Sequence, residues 1–321
     1  MARKVDVEDL VERARKGQPR ALARLISLVE NASPQLRPIM AALNPLAGRA
    51  RVVGLTGAPG VGKSTSTGAL VTAFRKRGLR VGVLAVDPSS PFTGGALLGD
   101  RVRMQDHAAD SGVFIRSMAS RGHLGGLSWA APQAIRVLDA AGCDVVLVET
   151  VGVGQAEVEI ASLADSTIVL VSPGMGDSIQ AAKAGILEIA DVFVVNKADR
   201  DGAQQTVRDL RNMIALAGDV GWKPPIVPTV AVKGEGVDDV VRSLDEHYAW
   251  MEESGELQRR RLARVRDEIE AIAVTALRER MGDLHGHQRL DVLAGKVLSG
   301  ACDPYSAADE LIQGVTTGSD A

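Results

Sequence analysis

Eight consecutive residues, Gly57, Ala58, Pro59, Gly60, Val61, Gly62, Lys63 and Ser64, fit the pattern G-x-x-x-x-G-K-[ST], and Thr65 follows them. They stand directly after an apolar run, RVVGLT, and before a segment of helical spacing, which is the context this pattern requires. Glycines let such a loop wrap a phosphate so that backbone N–H groups and the N-terminus of the next helix hold the β-phosphate. Lys63 would neutralise charge on the β- and γ-phosphates, and Ser64 would ligate Mg²⁺ directly. The chemistry called for is binding of a nucleoside triphosphate with its metal.

A second motif, Asn196-Lys197-Ala198-Asp199, closes the apolar run DVFVV. Its N-K-x-D form suits guanine. Asp199 would accept the ring N–H and exocyclic amine, whereas adenine presents an acceptor there and would leave the carboxylate unpaired. Lys197 would lie over the base plane, and Asn196 would tie the segment to the phosphate loop. Further along, Thr229-Val230-Ala231-Val232-Lys233-Gly234 follows another strand-like run. Backbone N–H groups of Ala231, Val232 and Lys233 would reach the guanine carbonyl; a plain strand-to-helix loop explains the stretch nearly as well.

Three acidic residues end apolar runs or lie just past them: Asp87 in VLAVDPSS, Asp100 in LLGDRVRM and Glu149 in VVLVETVG. A carboxylate in such a place is costly unless it faces a cation, and Mg²⁺ with its waters is the candidate. Glu149-Thr150-Val151-Gly152 stands where many GTPases carry D-x-x-G, so Gly152 could offer its N–H to the γ-phosphate. Helix capping or a loop turn is the alternative role, most evenly balanced for Asp100.

These groups need a scaffold that brings distant segments to one place. Seven short β-branched runs supply it: RVVGLT, RVGVLAVD, VFIRSM, DVVLVE, STIVLVS, DVFVVNK and PIVPTV. Helix-length segments separate nearly all of them, and parallel strands need such crossovers. The expected fold is α/β, a mostly parallel sheet with helices on both faces and ligands at the carboxyl ends of the strands. Ahead of it, three short helices are expected over 5–16, 19–30 and 34–43. Behind it, helices are expected over 257–280, 287–299 and 304–313. The division is therefore 1–48 helical, 49–247 nucleotide-binding and 248–321 a helical extension. Stretch 252–270 reads as a solvated amphipathic helix. Its stripe of Leu257, Leu262, Val265, Ile269, Ile272 and Leu277 cannot bury itself alone, which points to a homodimer interface.

Composition narrows the remaining classes. The 321 residues are 45% apolar but only 3% aromatic, so the core must be aliphatic. A net charge of −3 gives no general attraction for nucleic acid. No run of about 18 apolar residues suits a membrane span, no signal-peptide stretch opens the chain, and Cys143 and Cys302 lack metal-ligand spacing. A reduced, cytoplasmic setting is expected.

With these motifs in place, the chain resembles the MeaB/ArgK-type GTPases, relatives of the methylmalonic aciduria type A protein. The likeness rests on GAPGVGKST at 57–65, VDPSSPFTGGALLGDR at 86–101, RSMASRGHLGGLS at 116–128, ETVGVGQAEVE at 149–159 and NKAD at 196–199. It implies a homodimeric, Mg²⁺-dependent GTPase chaperone that gates adenosylcobalamin delivery to methylmalonyl-CoA mutase and protects that enzyme. It implies switches at 88–100 and 149–155, with Asp87, Asp100 and Glu149 around Mg²⁺. It also implies a third mobile segment at 172–183, whose Lys183 acts in partner-stimulated hydrolysis. Spacing alone would make Lys183 a solvated helix residue.

Other readings share parts of this pattern. A nickel-insertion GTPase would need a Cys or His cluster, and the five histidines offer one close pair, His285 and His287. An ATP-dependent kinase component of amino-acid transport conflicts with Asp199. A structural partner protein that binds nucleotide without turnover differs only in its lack of hydrolysis.

Overall fold

The computed structural model describes residues 6–87, 107, 109–119, 130–150, 156–174, 188–216, 221–281 and 288–316. The chain forms two compact units, Met1–Arg261 and Leu262–Ala321.

The first unit is built on seven described strands: β1 (Arg51–Thr56), β2 (Val81–Asp87), β3 (Val113–Ala119), β4 (Val145–Thr150), β5 (Ser166–Val171), β6 (Val192–Asn196) and β7 (Ile226–Thr229). They lie in the order β3-β2-β4-β1-β5-β6-β7, and every neighbouring pair is parallel. All seven runs read from the sequence are strands, and the described sheet is wholly rather than mostly parallel. Alternate residues serve opposite faces. Leu147, Ile168 and Val194 pack on one side, while Val146, Val148, Val169 and Phe193 pack on the other.

Helix α4 (Lys63–Lys76) shares the first face with the helix Val237–Ser254. The opposite face carries α5 (Ala131–Ala140), α6 (Ala156–Leu163) and α7 (Ala203–Leu216). Because both faces are covered, the strands read as continuous apolar runs.

Three N-terminal helices, α1 (Val7–Arg15), α2 (Pro19–Glu30) and α3 (Leu36–Leu43), join the core beside α5. Asp6 caps α1 by accepting the Asp9 N–H, and Pro19 opens α2, where its missing N–H costs nothing. Leu22, Leu25, Ile26 and Val29 form the buried stripe of α2. At its end Glu30 accepts from Arg116 of β3 at 2.7 Å, which ties these helices to the edge strand.

After α8 (Val237–Ser254) comes the long helix α9 (Glu256–Met281), whose first turns bind the amino ends of two strands. Asp191, just before β6, accepts a bidentate pair from Arg260 at 2.9 Å each, and also the Thr167 N–H. Asp165, just before β5, accepts from Arg261 at 2.9 Å and from the Val52 N–H. His247 is wholly buried between Asp191 and the Ser166 hydroxyl, with Trp222 and Trp250 against its ring.

In the second unit α10 (Gln288–Leu298) and α11 (Pro304–Thr316) pack through Leu293, Ala307 and Leu311, with Asp303 capping α11. No described helix is long and apolar enough to cross a membrane.

Burial alone would raise the Asp191 carboxyl, but the His247 imidazole 3.2 Å away and the Arg260 fork outweigh it and hold the group below its ordinary value. Its contribution to stability is therefore full above the unfolded pKa of about 4 and is lost as pH falls through the lower folded value. Arg260→Ala should destabilise the protein by about 3 kcal/mol at pH 7, because it leaves a buried carboxylate short of its cation. Urea unfolding should show the deficit shrinking as the pH drops below about 4.

Candidate functional site

Since the strands are parallel, the carboxyl ends of β1, β2, β4, β6 and β7 all lie at the same edge of the sheet. At the centre, β1 runs into the glycine-rich loop and then α4. Gly57 has φ +141°, and a Cβ there would lie 2.3 Å from the Leu170 carbonyl oxygen on β5. Gly62 has φ +94°, and its Cβ would lie 2.5 Å from Asn196 Nδ2. Both glycines are thus required by close approach as well as by backbone conformation.

The α4 N-cap is Gly62, and among the described residues no side chain caps this helix. Its first N–H groups, with the helix dipole behind them, are suited to anionic oxygens. Lys63 is buried, and its Nζ donates to the carbonyls of Gly57 at 2.6 Å and Ala58 at 3.1 Å, which places the ammonium across the loop.

Glu149 enters from β4, the neighbour of β1, in register with Leu55. Its carboxylate is only 2% exposed and accepts hydrogen bonds from the hydroxyls of Ser64 and Thr67, the latter at 3.1 Å. A hydroxyl and a carboxylate side by side are hard oxygen donors of the kind Mg²⁺ takes. With the uncapped helix and the lysine, this donor set fits a metal-bound nucleotide. Asp87 ends β2, and the preceding Val86 is in register with Thr150 of β4, so the two strand ends are neighbours.

Asn196 ends β6 and is buried. Its Nδ2 donates to the Val61 carbonyl at 2.8 Å, while its Oδ1 accepts the Ala231 N–H at 3.1 Å and the Thr229 hydroxyl at 3.3 Å. One amide therefore joins the phosphate loop to both loops at the far end of the site. Lys197 takes a left-handed φ of +59° and donates from Nζ to the Gly60 carbonyl at 2.6 Å. Asp199 lies 3.7 Å from the Lys233 ammonium, at the partly exposed outer rim. The short turn Ala231–Lys233 places Ala231 inside and Val232 in solvent.

Residues 57–65, Glu149, Asn196, Lys197, Asp199 and 231–233 thus gather at the carboxyl ends of the strands. Asp100, Gly152 and Lys183, the stretch Pro88 to Asp100, residues 151–155 and most of the third segment lie outside the described residues, as does the side chain of Asp87. Thr67 was not singled out from the sequence. Its signal was there: it stands three residues after Ser64, on the same helix face. Among the described residues no group of three or more His, Cys, Asp or Glu side chains could hold a metal ion.

Residues 22–284 match the family model described as methylmalonyl-CoA mutase-associated GTPase MeaB. A relative from Pyrococcus horikoshii is 49% identical over 311 residues, covering 96% of this chain and 98% of its own. The mouse methylmalonic aciduria type A homolog, mitochondrial, is 33% identical over 322 residues, covering 93% of this chain and 77% of its own. A crystal structure of a LAO/AO transport system kinase superposes with a TM-score of 0.72 at 28% identity, covering 98% of this chain and 99% of that one.

Truncating Asn196 to Ala would leave the Val61 carbonyl and the Ala231 N–H without this partner and release three loops from one another. GTP affinity should fall by roughly ten- to a hundredfold, the equivalent of about 1 to 3 kcal/mol for buried polar groups left unsatisfied. Titration with a fluorescent guanine nucleotide measures it; unchanged affinity would mean that this amide does not organise the site.

Proposed function

The chain belongs to the methylmalonyl-CoA mutase-associated GTPase family MeaB, and from that premise we propose that its GTP hydrolysis times the delivery of adenosylcobalamin to methylmalonyl-CoA mutase and protects the loaded enzyme. The observation that carries the hydrolytic part is the buried Glu149 carboxylate bonded to Ser64 and Thr67 beside the phosphate loop. The family description supports the choice of partner.

In this reading the loop N–H groups of 57–65 hold the phosphates, and Lys63 pairs with β- and γ-phosphate oxygens. Gly152 donates its N–H to the γ-phosphate. Asp199 accepts from the guanine N–H groups, Lys197 covers the base, and 231–233 contact the guanine carbonyl. Ser64, with Asp87, Asp100 and Glu149, would hold Mg²⁺, which would supply positive charge against that building on the γ-phosphate. A switch carboxylate orients the water for in-line attack on the γ-phosphorus, with GDP as the leaving group. No arginine finger belongs to this set, so unassisted turnover is slow. Rearrangement of 172–183 by the mutase, bringing in Lys183, is the accelerator.

The extension from 248 onward serves as the homodimer surface, in a cytoplasmic protein. Its support is the row of Leu262, Val265, Ile269, Ile272 and Leu277, all with more than two fifths of their surface in solvent. Single exposed apolar residues are ordinary; a helical stripe of them marks an interface.

The decisive measurement is the GTPase rate of the full chain with and without methylmalonyl-CoA mutase. At least a tenfold acceleration is expected, and Lys183→Ala should remove the increment. If the mutase neither accelerates hydrolysis nor co-elutes with the GTP-bound chain, the partner assignment is wrong while the GTPase remains. Light scattering tests the dimer separately: Ile269→Glu should convert it to a monomer with GTP affinity retained.

A further inference from the structure

At the opposite ends of the strands from the nucleotide site lies a cleft of about 710 Å³. Pockets of about 300–1,000 Å³ accommodate small molecules. Arg15, Arg49, Arg51, Arg77 and Arg80 line it, and no lysine does. Five guanidinium groups face three carboxylates, Asp139, Asp144 and Asp245, in a protein whose net charge is −3.

The carboxylates are already engaged. Asp139 accepts the backbone N–H groups of Gly48, Arg49 and Ala50. Asp144 accepts the Arg80 N–H at 2.7 Å. Asp245 alone meets guanidinium groups, accepting from Arg51 and Arg77 at 2.7 Å each. A guanidinium carries five N–H donors in a fixed fork, so each of these arginines keeps donors for a ligand. Among the described residues the Arg49 side chain has no hydrogen-bond or ion-pair partner.

Several of the forks are held in place before any ligand arrives. Arg51 is fixed between Asp245 and the face of Tyr248, 4.2 Å from the ring centroid. Arg80 donates to the Ala141 carbonyl at 3.1 Å and passes close to Gly142, where a Cβ would lie 2.9 Å from its Nη1. Pre-positioned arginine forks match phosphoryl oxygens two at a time, which lysine cannot do. Leu46 and Leu79 add apolar wall to the same cleft.

We propose that this cleft is a second ligand site, for a small molecule bearing two or more phosphoryl groups on a compact body. It is not an extension of the nucleotide site. Arg51 opens β1 and the phosphate loop follows its sixth residue, a separation of about 17 Å along an extended strand. The proposal does not depend on which partner the GTPase serves.

The test uses the full chain saturated with GDP and Mg²⁺, so that the phosphate loop is filled, and radiolabelled inorganic pyrophosphate in equilibrium dialysis. About one equivalent of pyrophosphate should bind with GDP retained. Binding should weaken at least tenfold in Arg49→Glu and more in Arg49→Ala/Arg77→Ala. Arg49→Glu alters a side chain without a described partner, so its thermal midpoint and GDP affinity should match the parent and exclude misfolding. No uptake by the GDP-saturated chain, uptake matched by GDP release, or uptake unaffected by Arg49→Glu would overturn the proposal. Binding of polyglutamate without pyrophosphate would do so too, pointing instead to an acidic protein surface.

Discussion

Seven described strands that all run parallel impose a constraint that every other feature obeys. Each connection must carry the chain back along the sheet, so helices have to cover both faces and every strand has to be apolar on both sides. Each strand's carboxyl end then faces the same edge. The glycine-rich loop, Glu149 and Asn196 come from segments up to 135 residues apart, yet they meet because β1, β4 and β6 end together. Side-chain hydrogen bonds adjust this meeting; they do not create it.

The two edges of the sheet handle buried charge in opposite ways. At the amino edge Asp165 and Asp191 receive arginine forks from α9 together with strand N–H groups, which completes their hydrogen bonding inside the fold. At the carboxyl edge Glu149 is as deeply buried, and it accepts from the hydroxyls of Ser64 and Thr67, groups that also suit a metal. A carboxylate locked to arginine is structural. Hydroxyl oxygens beside a carboxylate are hard donors that a cation can share, so the surroundings of these buried carboxylates differ in kind and not in burial.

Much of this was legible in the chain because the signals were contiguous. The phosphate loop is a single stretch of residues whose glycines announce their own backbone demands, and the strands are uninterrupted β-branched runs. Helix α2 falls on 19–30, where Pro19 and the Asn31 break bound it. Element ends proved less legible: α1 starts at Val7 rather than at residue 5, and α3 at Leu36 rather than at 34, because caps and turns, not apolar spacing, decide where a helix begins. The partners of Asp191 and Asp165 could not be read at all. Arg260 and Arg261 lie 69 and 96 residues away, inside a charged stretch whose composition suggested only a solvated helix face. Thr67 had a local signal, but its importance depends on Glu149, 82 residues later.

By itself, the sequence determined the chemistry available: a loop suited to wrapping phosphate, a carboxylate suited to guanine, and a set of strands expected to lie mostly parallel. Local backbone preference and side-chain type are enough for those, since each depends on residues close together in the chain. Only the tertiary structure decided which carboxylate stands beside Ser64, which amide joins the loops, and that five arginines from separate segments share a cleft at the far edge. Those outcomes depend on strand order and register, which arise from packing among segments far apart in the chain and leave no mark on any short stretch of it.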